Sequence, residues 1–301
     1  MSMAPKRLHL IDGTYELFRA HFSKRPEHQD ASGRDAKATV GVMWSILALL
    51  GDPDEQVTHI AAAFDNPIRS FRNDLFAGYK TDAGVPPELL AQFDRVERAT
   101  RALGVVVWSM AAFEADDAIA TAAARWSNDV DETRIVSPDK DFGQCLRGSR
   151  VVLVDRVRKR VIDEATLLQS RGIAPGSVPD YLALVGDTAD GIPGLAGFGE
   201  KTAATLLREY GHLESIPLRG AAWNANIRGA ASLAATLSAN MDRAILYRRL
   251  ATLDLSVPLS QSLDDLEWQG IPAHQFDEFC DEIRAPEALR KHPMRVANVS
   301  G

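Results

Sequence analysis

Four short apolar runs, each followed within a few residues by carboxylates, constrain this chain more than any other feature. Leu8-His9-Leu10-Ile11 ends at Asp12, and Val57 to Phe64 ends at Asp65. Val105-Val106-Val107-Trp108 precedes Glu114-Ala115-Asp116-Asp117, and Thr133-Arg134-Ile135-Val136 delivers Ser137-Pro138-Asp139-Lys140-Asp141. Mainly apolar runs of this length, even with His9, His59 or Arg134 within them, read as buried strands, the pattern of a parallel sheet. Helical periodicity between them, over about Thr14–Phe22 with Thr14 as cap, Ala38–Leu50 and Glu88–Leu103, predicts an α/β fold. In an open α/β sheet the carboxyl ends of the strands converge on one crevice. The acids at those ends are therefore expected to meet there.

Like charges packed this closely are costly without a counter-charge, and hard divalent cations with oxygen ligands supply one. A magnesium-type site is the sharp reading. Each acid also has a plain one. Asp12 stands before glycine as a turn residue would, Asp139 and Asp141 could cap a helix, and carboxylates at 114–117 suit a helix start. Glu114 and Asp117, three apart, are expected to share a helix face.

With 301 residues and 46% of them hydrophobic, the chain can bury a large core, and two domains are expected. No apolar run reaches the roughly 18 residues of a membrane span, and Met1 to Arg7 lacks a signal-peptide pattern, so a cytoplasmic location is expected. Cys145 and Cys280 are far apart and without ligand spacing, which argues against a zinc site or a disulfide framework and for two small buried hydrophobes. The net charge of −7 looks wrong for a nucleic-acid binder. Setting aside the nine carboxylates nominated below turns it into +2, so local sign is the better guide.

Two further stretches point to nucleic acid. Arg69 to Lys80 mixes cations with aromatics, as needed where phosphate and base are both met, although an amphipathic helix with solvated arginines gives the same composition. From about Gly172 the alternation of strand and helix stops. There a helix ends at Gly186-Asp187-Thr188-Ala189-Asp190-Gly191, and Gly194-Leu195-Ala196-Gly197-Phe198-Gly199-Glu200-Lys201-Thr202 leads into the next. Glycines let backbone approach a phosphate, and a following helix offers N–H groups to it. The stretch is neither a Walker motif nor a dinucleotide fingerprint. One further helix is expected over Gly229–Leu250, and the end is expected to fray after Lys291.

Taken together, these motifs resemble in kind and order those of the 5′-nuclease domain of bacterial DNA polymerase I and its stand-alone relatives, the flap endonuclease and 5′-3′ exonuclease family. The resemblance covers roughly Leu8 to Ile283. It implies a PIN-like α/β nuclease domain with a mostly parallel central sheet over 1–172. A helical, SAM-like DNA-binding domain with a helix-hairpin-helix motif would follow over 173–290, and then a tail over 291–301. No polymerase segment follows, so a separate enzyme is expected. By the resemblance, Asp12, Asp65, Glu114 and Asp116 surround one metal, and Asp139, Asp141, Asp187 and Asp190 another, with Asp117 between them or in the outer shell.

The resemblance further implies two Mg²⁺ or Mn²⁺ ions, or a third besides, and K⁺ at the hairpin. Lys80, Arg72 and Arg19 would approach the scissile phosphate and Tyr79 would stack on a terminal base. Gly194, Gly197, Gly199, Lys201 and Thr202 would hold duplex phosphates. The implied activity is 5′-3′ exonuclease and flap endonuclease cleavage of DNA bearing a 5′ flap, nick, gap or end, or of RNA/DNA hybrid ends. It would serve replication and repair as a monomer, away from any membrane, beside a separate polymerase and ligase. Ala83 stands where the family has a second basic residue, Gly191 where it has asparagine, and Val40 where it has tyrosine. Two alternatives stay open, a PIN-type ribonuclease and a non-catalytic structure-specific DNA-binding protein.

Overall fold

The structure is a computed structural model that describes residues 5–224 and 226–292, and the backbone of 295–296. In chain order the elements are β1 (Arg7–Asp12), α1 (Gly13–His21), α2 (Lys37–Leu50), β2 (His59–Asp65), α3 (Arg72–Leu75), α4 (Pro87–Leu90), α5 (Phe93–Ala102), β3 (Val106–Met110) and α6 (Ala115–Trp126). They continue with β4 (Glu132–Val136), β5 (Val151–Asp155), β6 (Arg160–Ile162), α7 (Glu164–Arg171), α8 (Val178–Val185) and α9 (Glu200–Tyr210). The last are α10 (Ala230–Ala239), α11 (Met241–Ala251), β7 (Ile271–Pro272), α12 (Ala273–Glu282), α13 (Glu287–Arg290) and β8 (Arg295–Val296). No helix among the described residues is long and apolar enough to cross a membrane.

The chain divides into two compact units. One takes the residues up to Ile68, Asp82–Ser137 and the chain from Leu255, and the other takes Arg69–Thr81 and Pro138–Asp254. These packing units are not consecutive in sequence, unlike the two domains expected on either side of 172. The reason lies in two excursions. The apolar residues of α12 and the turn after it, Phe276, Phe279, Cys280 and Ile283, are buried in the same core as α2 and α5, so the C-terminal part belongs with the first unit. The guanidinium of Arg72 donates to the carbonyls of Leu250 (2.8 Å) and Thr252 (2.9 Å), which ties 69–81 to the second.

In the first unit β3, β2, β1 and β4 are neighbours in that order and run parallel. Register sets Asp12 opposite Ala63 of β2, and Asp65 opposite Met110 of β3. Alanines on β2 and α6 let helix and strand approach closely, and α6 packs on both β1 and β2. Gly13 is required where β1 turns into α1, because a Cβ there would lie 2.5 Å from the Phe64 ring and 2.7 Å from the Ala63 carbonyl.

In the second unit β5 and β6 form an antiparallel hairpin, and α8 packs against α11 and α9. Two expected helices are broken. The one over 88–103 divides into α4 and α5 around Ala91-Gln92, where the Gln92 side chain accepts from the Thr39 N–H (3.0 Å) and hydroxyl (3.1 Å) of α2. The one over 229–250 divides at Asn240, whose side chain caps back onto the Thr236 carbonyl at 2.8 Å. Arg69–Lys80 contains only the four-residue α3. Of the two free cysteines Cys280 is buried, as expected, and Cys145 is only half-buried. Most of the expected tail lies outside the described residues, but 295–296 pairs in parallel with β7 instead of fraying.

Candidate functional site

In the first unit, five of the nominated carboxylates gather at strand ends and one helix start. Asp12 is buried at the end of β1 and caps α1. Its Oδ1 accepts from the Tyr15 N–H (2.8 Å) and its Oδ2 from the Ser137 hydroxyl at the end of β4 (2.9 Å). Asp12, not Thr14, is thus the cap. Thr14 serves the neighbouring strand, its hydroxyl oxygen accepting from the Asp65 N–H at 2.8 Å. Asp65 in turn accepts from the Ala115 N–H at 2.7 Å, which fixes the start of α6 against the end of β2.

Glu114 and Asp117 do not lie side by side on a helix face. Glu114 is the extended N-cap residue of α6, and the two side chains cap each other's backbone, with Glu114 N–H donating to Asp117 Oδ2 at 2.9 Å. That reciprocal arrangement satisfies two otherwise orphaned donors, and the helix dipole favours the carboxylates. Asp117 is fully buried in this role, while Asp116 is half-buried at the next turn position. The helix-start reading is therefore right for Asp117.

The second unit holds its acids differently. Asp139 caps a 3₁₀ turn by accepting from the Asp141 N–H at 2.8 Å. Asp187 follows α8 in a loop closed by reciprocal backbone bonds with Ile192, both 2.8 Å. Its Oδ1 accepts from the Ala189 N–H (2.9 Å), and its Oδ2 faces Lys140 Nζ (2.8 Å). Asp190, on the same loop, faces Lys80 Nζ at 2.9 Å. Asp141 is buried, and its Oδ1 has no hydrogen-bond partner. Burial first, then the charges of Asp139, Asp190 and Asp187, push the Asp141 carboxyl well above the usual aspartate range, with Lys140 opposing. Burial works against the Lys140 ammonium, but its hydrogen bond to Asp187 and the nearby acids hold its pKa above the ordinary lysine value.

Among the described residues no three His, Cys, Asp or Glu side chains form a ready-made metal-binding group. The donor set nonetheless fits a hard cation. An orphaned, buried carboxylate oxygen repelled by three other acids is the environment that an oxygen-seeking divalent ion relieves. Lys140, which pairs with Asp187, was not among the residues nominated from the sequence. Its place between two aspartates was the available signal.

Three of the residues expected at phosphate or base have partners within the fold. Arg72 is fully buried and its guanidinium donates to two carbonyls at the end of α11, which anchors the segment carrying Lys80. Tyr79 is 3% exposed and donates its hydroxyl to Asp190 Oδ2 at 3.3 Å, so its ring is not a stacking platform. Arg19 pairs with Glu16 and with the Ser45 hydroxyl (2.8 Å). Lys80 and Arg19, with side chains 29% and 31% exposed, keep access to solvent, whereas Arg72 does not. The Lys80 segment is seated by Lys80 N–H to the Asp190 carbonyl (3.0 Å) and by Asn73 to the Lys80 carbonyl (2.8 Å).

The hairpin from α8 to α9 forms as expected, but its glycines do different things. Gly194, at φ 69°, has no space for a side chain because a Cβ would meet the Gly186 nitrogen at 2.5 Å. It closes the hairpin and is not a phosphate contact. Gly197, Gly199 and Lys201 are exposed and Thr202 half-buried around the start of α9, where Gly199 is the cap residue. Gly191 stands where asparagine was expected. Its φ is 73° and a Cβ would lie 2.2 Å from the Gly78 carbonyl oxygen, so glycine lets the Lys80 segment close onto this loop. Val40 is core, and Ala83 is exposed.

With this geometry in place, comparison with known proteins identifies the family. A family model described as the 5′-3′ exonuclease N-terminal resolvase-like domain matches residues 7–172, more than half of the chain. This chain belongs to the 5′-3′ exonuclease family. The companion model, the 5′-3′ exonuclease C-terminal SAM fold, matches residues 173–274. DNA polymerase I of Bacillus caldotenax is 32% identical over 304 residues, covering 96% of this chain, and that of Rhizobium leguminosarum is 36% identical over 265 residues, covering 86%. The chain spans only 34% and 26% of those relatives' lengths.

Solved structures share the fold of this family member. T5 5′-exonuclease with bound divalent zinc ions superposes with a TM-score of 0.64 at 18% identity, covering 93% of this chain and 98% of that one. The catalytic core of Rad2 in complex with DNA substrate gives 0.59 at 14% identity, covering 93% and 88%.

Proposed function

We propose that this member of the 5′-3′ exonuclease family is a divalent-metal-dependent 5′ nuclease that hydrolyses DNA at 5′ ends, nicks, gaps and flaps. The observation that carries the reading is Asp141, a buried carboxylate with an unpartnered oxygen among Asp139, Asp187 and Asp190. Mg²⁺ or Mn²⁺ would be held by Asp139, Asp141, Asp187 and Asp190 in one group, and by Asp12, Asp65, Glu114 and Asp116 in the other. Bound divalent ions supply charge neutralisation at an anionic phosphodiester and make water more acidic, so no histidine base is needed.

The chain's own residues do the rest. Ser137, Tyr15 N–H and Ala115 N–H hold Asp12 and Asp65 in single orientations, so these ligands lose little freedom on binding a cation. Lys80, released from Asp190, brings an ammonium to the scissile phosphate, and Arg72 and Gly191 fix the segment it comes from. Gly197, Gly199, Lys201 and Thr202 at the start of α9 hold duplex phosphates, and K⁺ at this hairpin would strengthen that hold. Binding there at a set distance from the carboxylates favours cleavage near a junction. We further propose that the protein acts as a cytoplasmic monomer in replication and repair.

The test is incubation of matched, 5′-labelled DNA and RNA flaps with Mg²⁺ or Mn²⁺ and mapping of the products. Cleavage of the DNA flap at or next to the junction is expected. Cutting of RNA alone would make the protein a PIN-type ribonuclease, and no cutting with either ion would leave a binding protein.

A further inference from the structure

Each oxygen of the Asp187 carboxylate has a donor. Oδ1 is taken by the Ala189 N–H (2.9 Å) and Oδ2 by the Lys140 ammonium (2.8 Å), while the carboxylate itself is 7% exposed and so has little help from solvent. Lys140 is 39% exposed and rises from the turn whose flanking residues are Asp139 and Asp141. It is therefore held at the one oxygen of Asp187 that no backbone donor occupies. A divalent ion and an ammonium compete for that oxygen, because the repulsion between the two positive charges weakens the hold of each. Lys80 on Asp190 repeats the pattern (2.9 Å), which leaves Asp141 alone with an oxygen already open.

From this we infer that Lys140 is a resident counter-ion of Asp187, bound there when the metal is absent and displaced when a divalent cation takes Asp187 Oδ2. The inference rests on the reading of Asp187 as a cation ligand. Lys140 is then a positioning residue whose ion pair weakens metal binding while keeping the empty carboxylate cluster folded. Its exposed side chain has solvent to swing into, so the exchange needs no backbone movement.

The experiment measures Ca²⁺ binding to the whole protein by calorimetry, for wild type, Lys140→Met, Lys140→Arg and Lys159→Met. Lys159 is an exposed residue of the β5–β6 turn in the same unit and controls for loss of one positive charge. Lys140→Met is expected to bind Ca²⁺ about fivefold more tightly or better, the scale of one partly exposed ion pair, with Lys159→Met within about twofold of wild type. Lys140→Arg keeps the charge and is expected to stay near wild type. Equal or weaker binding by Lys140→Met, or an equal gain in Lys159→Met, would overturn the inference. Should Lys140→Met fail to fold, a Ca²⁺-bound crystal of the wild type decides. Lys140 Nζ more than about 3.5 Å from Asp187 supports the exchange, and contact retained contradicts it. Absence of any saturable Ca²⁺ binding by the wild type would instead count against the nuclease reading itself.

Discussion

The two carboxylate groups of this molecule are stabilised in opposite ways. In the first unit, Asp12, Asp65, Glu114 and Asp117 are bonded to backbone N–H groups and hydroxyls that belong to the fold. Their negative charge is part of what holds strand ends and helix starts together. In the second unit, Asp187 and Asp190 are balanced by lysine ammonium groups, and Asp141 is balanced incompletely. The first group has neutral donors that stay put when a cation arrives. The second carries electrostatic tension that a cation would relieve, so fold and function pull together in one unit and apart in the other.

The sharpest way to break this comparison is to neutralise one acid from each group. Asp141→Asn should lower flap cleavage by about a thousandfold or more, in line with loss of a metal ligand, yet leave the metal-free melting temperature unchanged or higher because a repelled buried charge is gone. Asp117→Asn should instead lower stability by about 1–2 kcal/mol through the lost capping interaction. Thermal melts in chelator read both, and a stability loss in Asp141→Asn equal to that in Asp117→Asn would erase the distinction.

Arg72 and Lys80 sharpen it further, eight residues apart on one segment. Arg72→Met leaves two buried carbonyls unpaired and should cost about 2–4 kcal/mol, whereas Lys80→Met should reduce single-turnover cleavage about a hundredfold with little change in melting. A cleavage defect in Arg72→Met with unchanged melting would identify it as a phosphate contact.

The pH dependence of stability without metal should have two opposite parts. Asp141 has a raised folded-state pKa, so its contribution is complete below the ordinary aspartate pKa and is lost as pH rises through the folded value. Glu214, paired with Arg248, is lowered to about 2, so its contribution is present above the ordinary glutamate pKa and is lost as pH falls toward 2. Asp141→Asn should remove the first dependence and leave the second. Denaturant midpoints across pH check both. The smallest expected effect is Ser137→Ala, which removes a hydroxyl donor to Asp12 and should cost about 1 kcal/mol and about tenfold in cleavage.

Much of this arrangement was legible in the amino-acid order, and the exceptions share a cause. Strand ends at Asp12 and Asp65 could be read because buried parallel strands leave mainly apolar runs. The hairpin at 186–199 could be read because its glycines punctuate helix ends. Three-dimensional partners could not. Nothing in Phe71-Arg72 says that the guanidinium is buried on carbonyls 178 and 180 residues away. Nor does Tyr79 beside Lys80 reveal a phenol turned inward onto Asp190. Gly191 looked like a lost asparagine until the Gly78 carbonyl was found where its side chain would stand. Asp117 was nominated as a ligand or outer-shell acid, and the reciprocal cap with Glu114 became visible only with the helix boundary.

The central claim, that the second unit's acids hold a divalent cation through Asp141, is tested most directly by Mn²⁺ titration of the wild type and Asp141→Asn, followed by electron paramagnetic resonance. Saturable binding by the wild type, with at least one site lost in a folded Asp141→Asn protein, is the predicted result. Identical Mn²⁺ binding by the two proteins would contradict it.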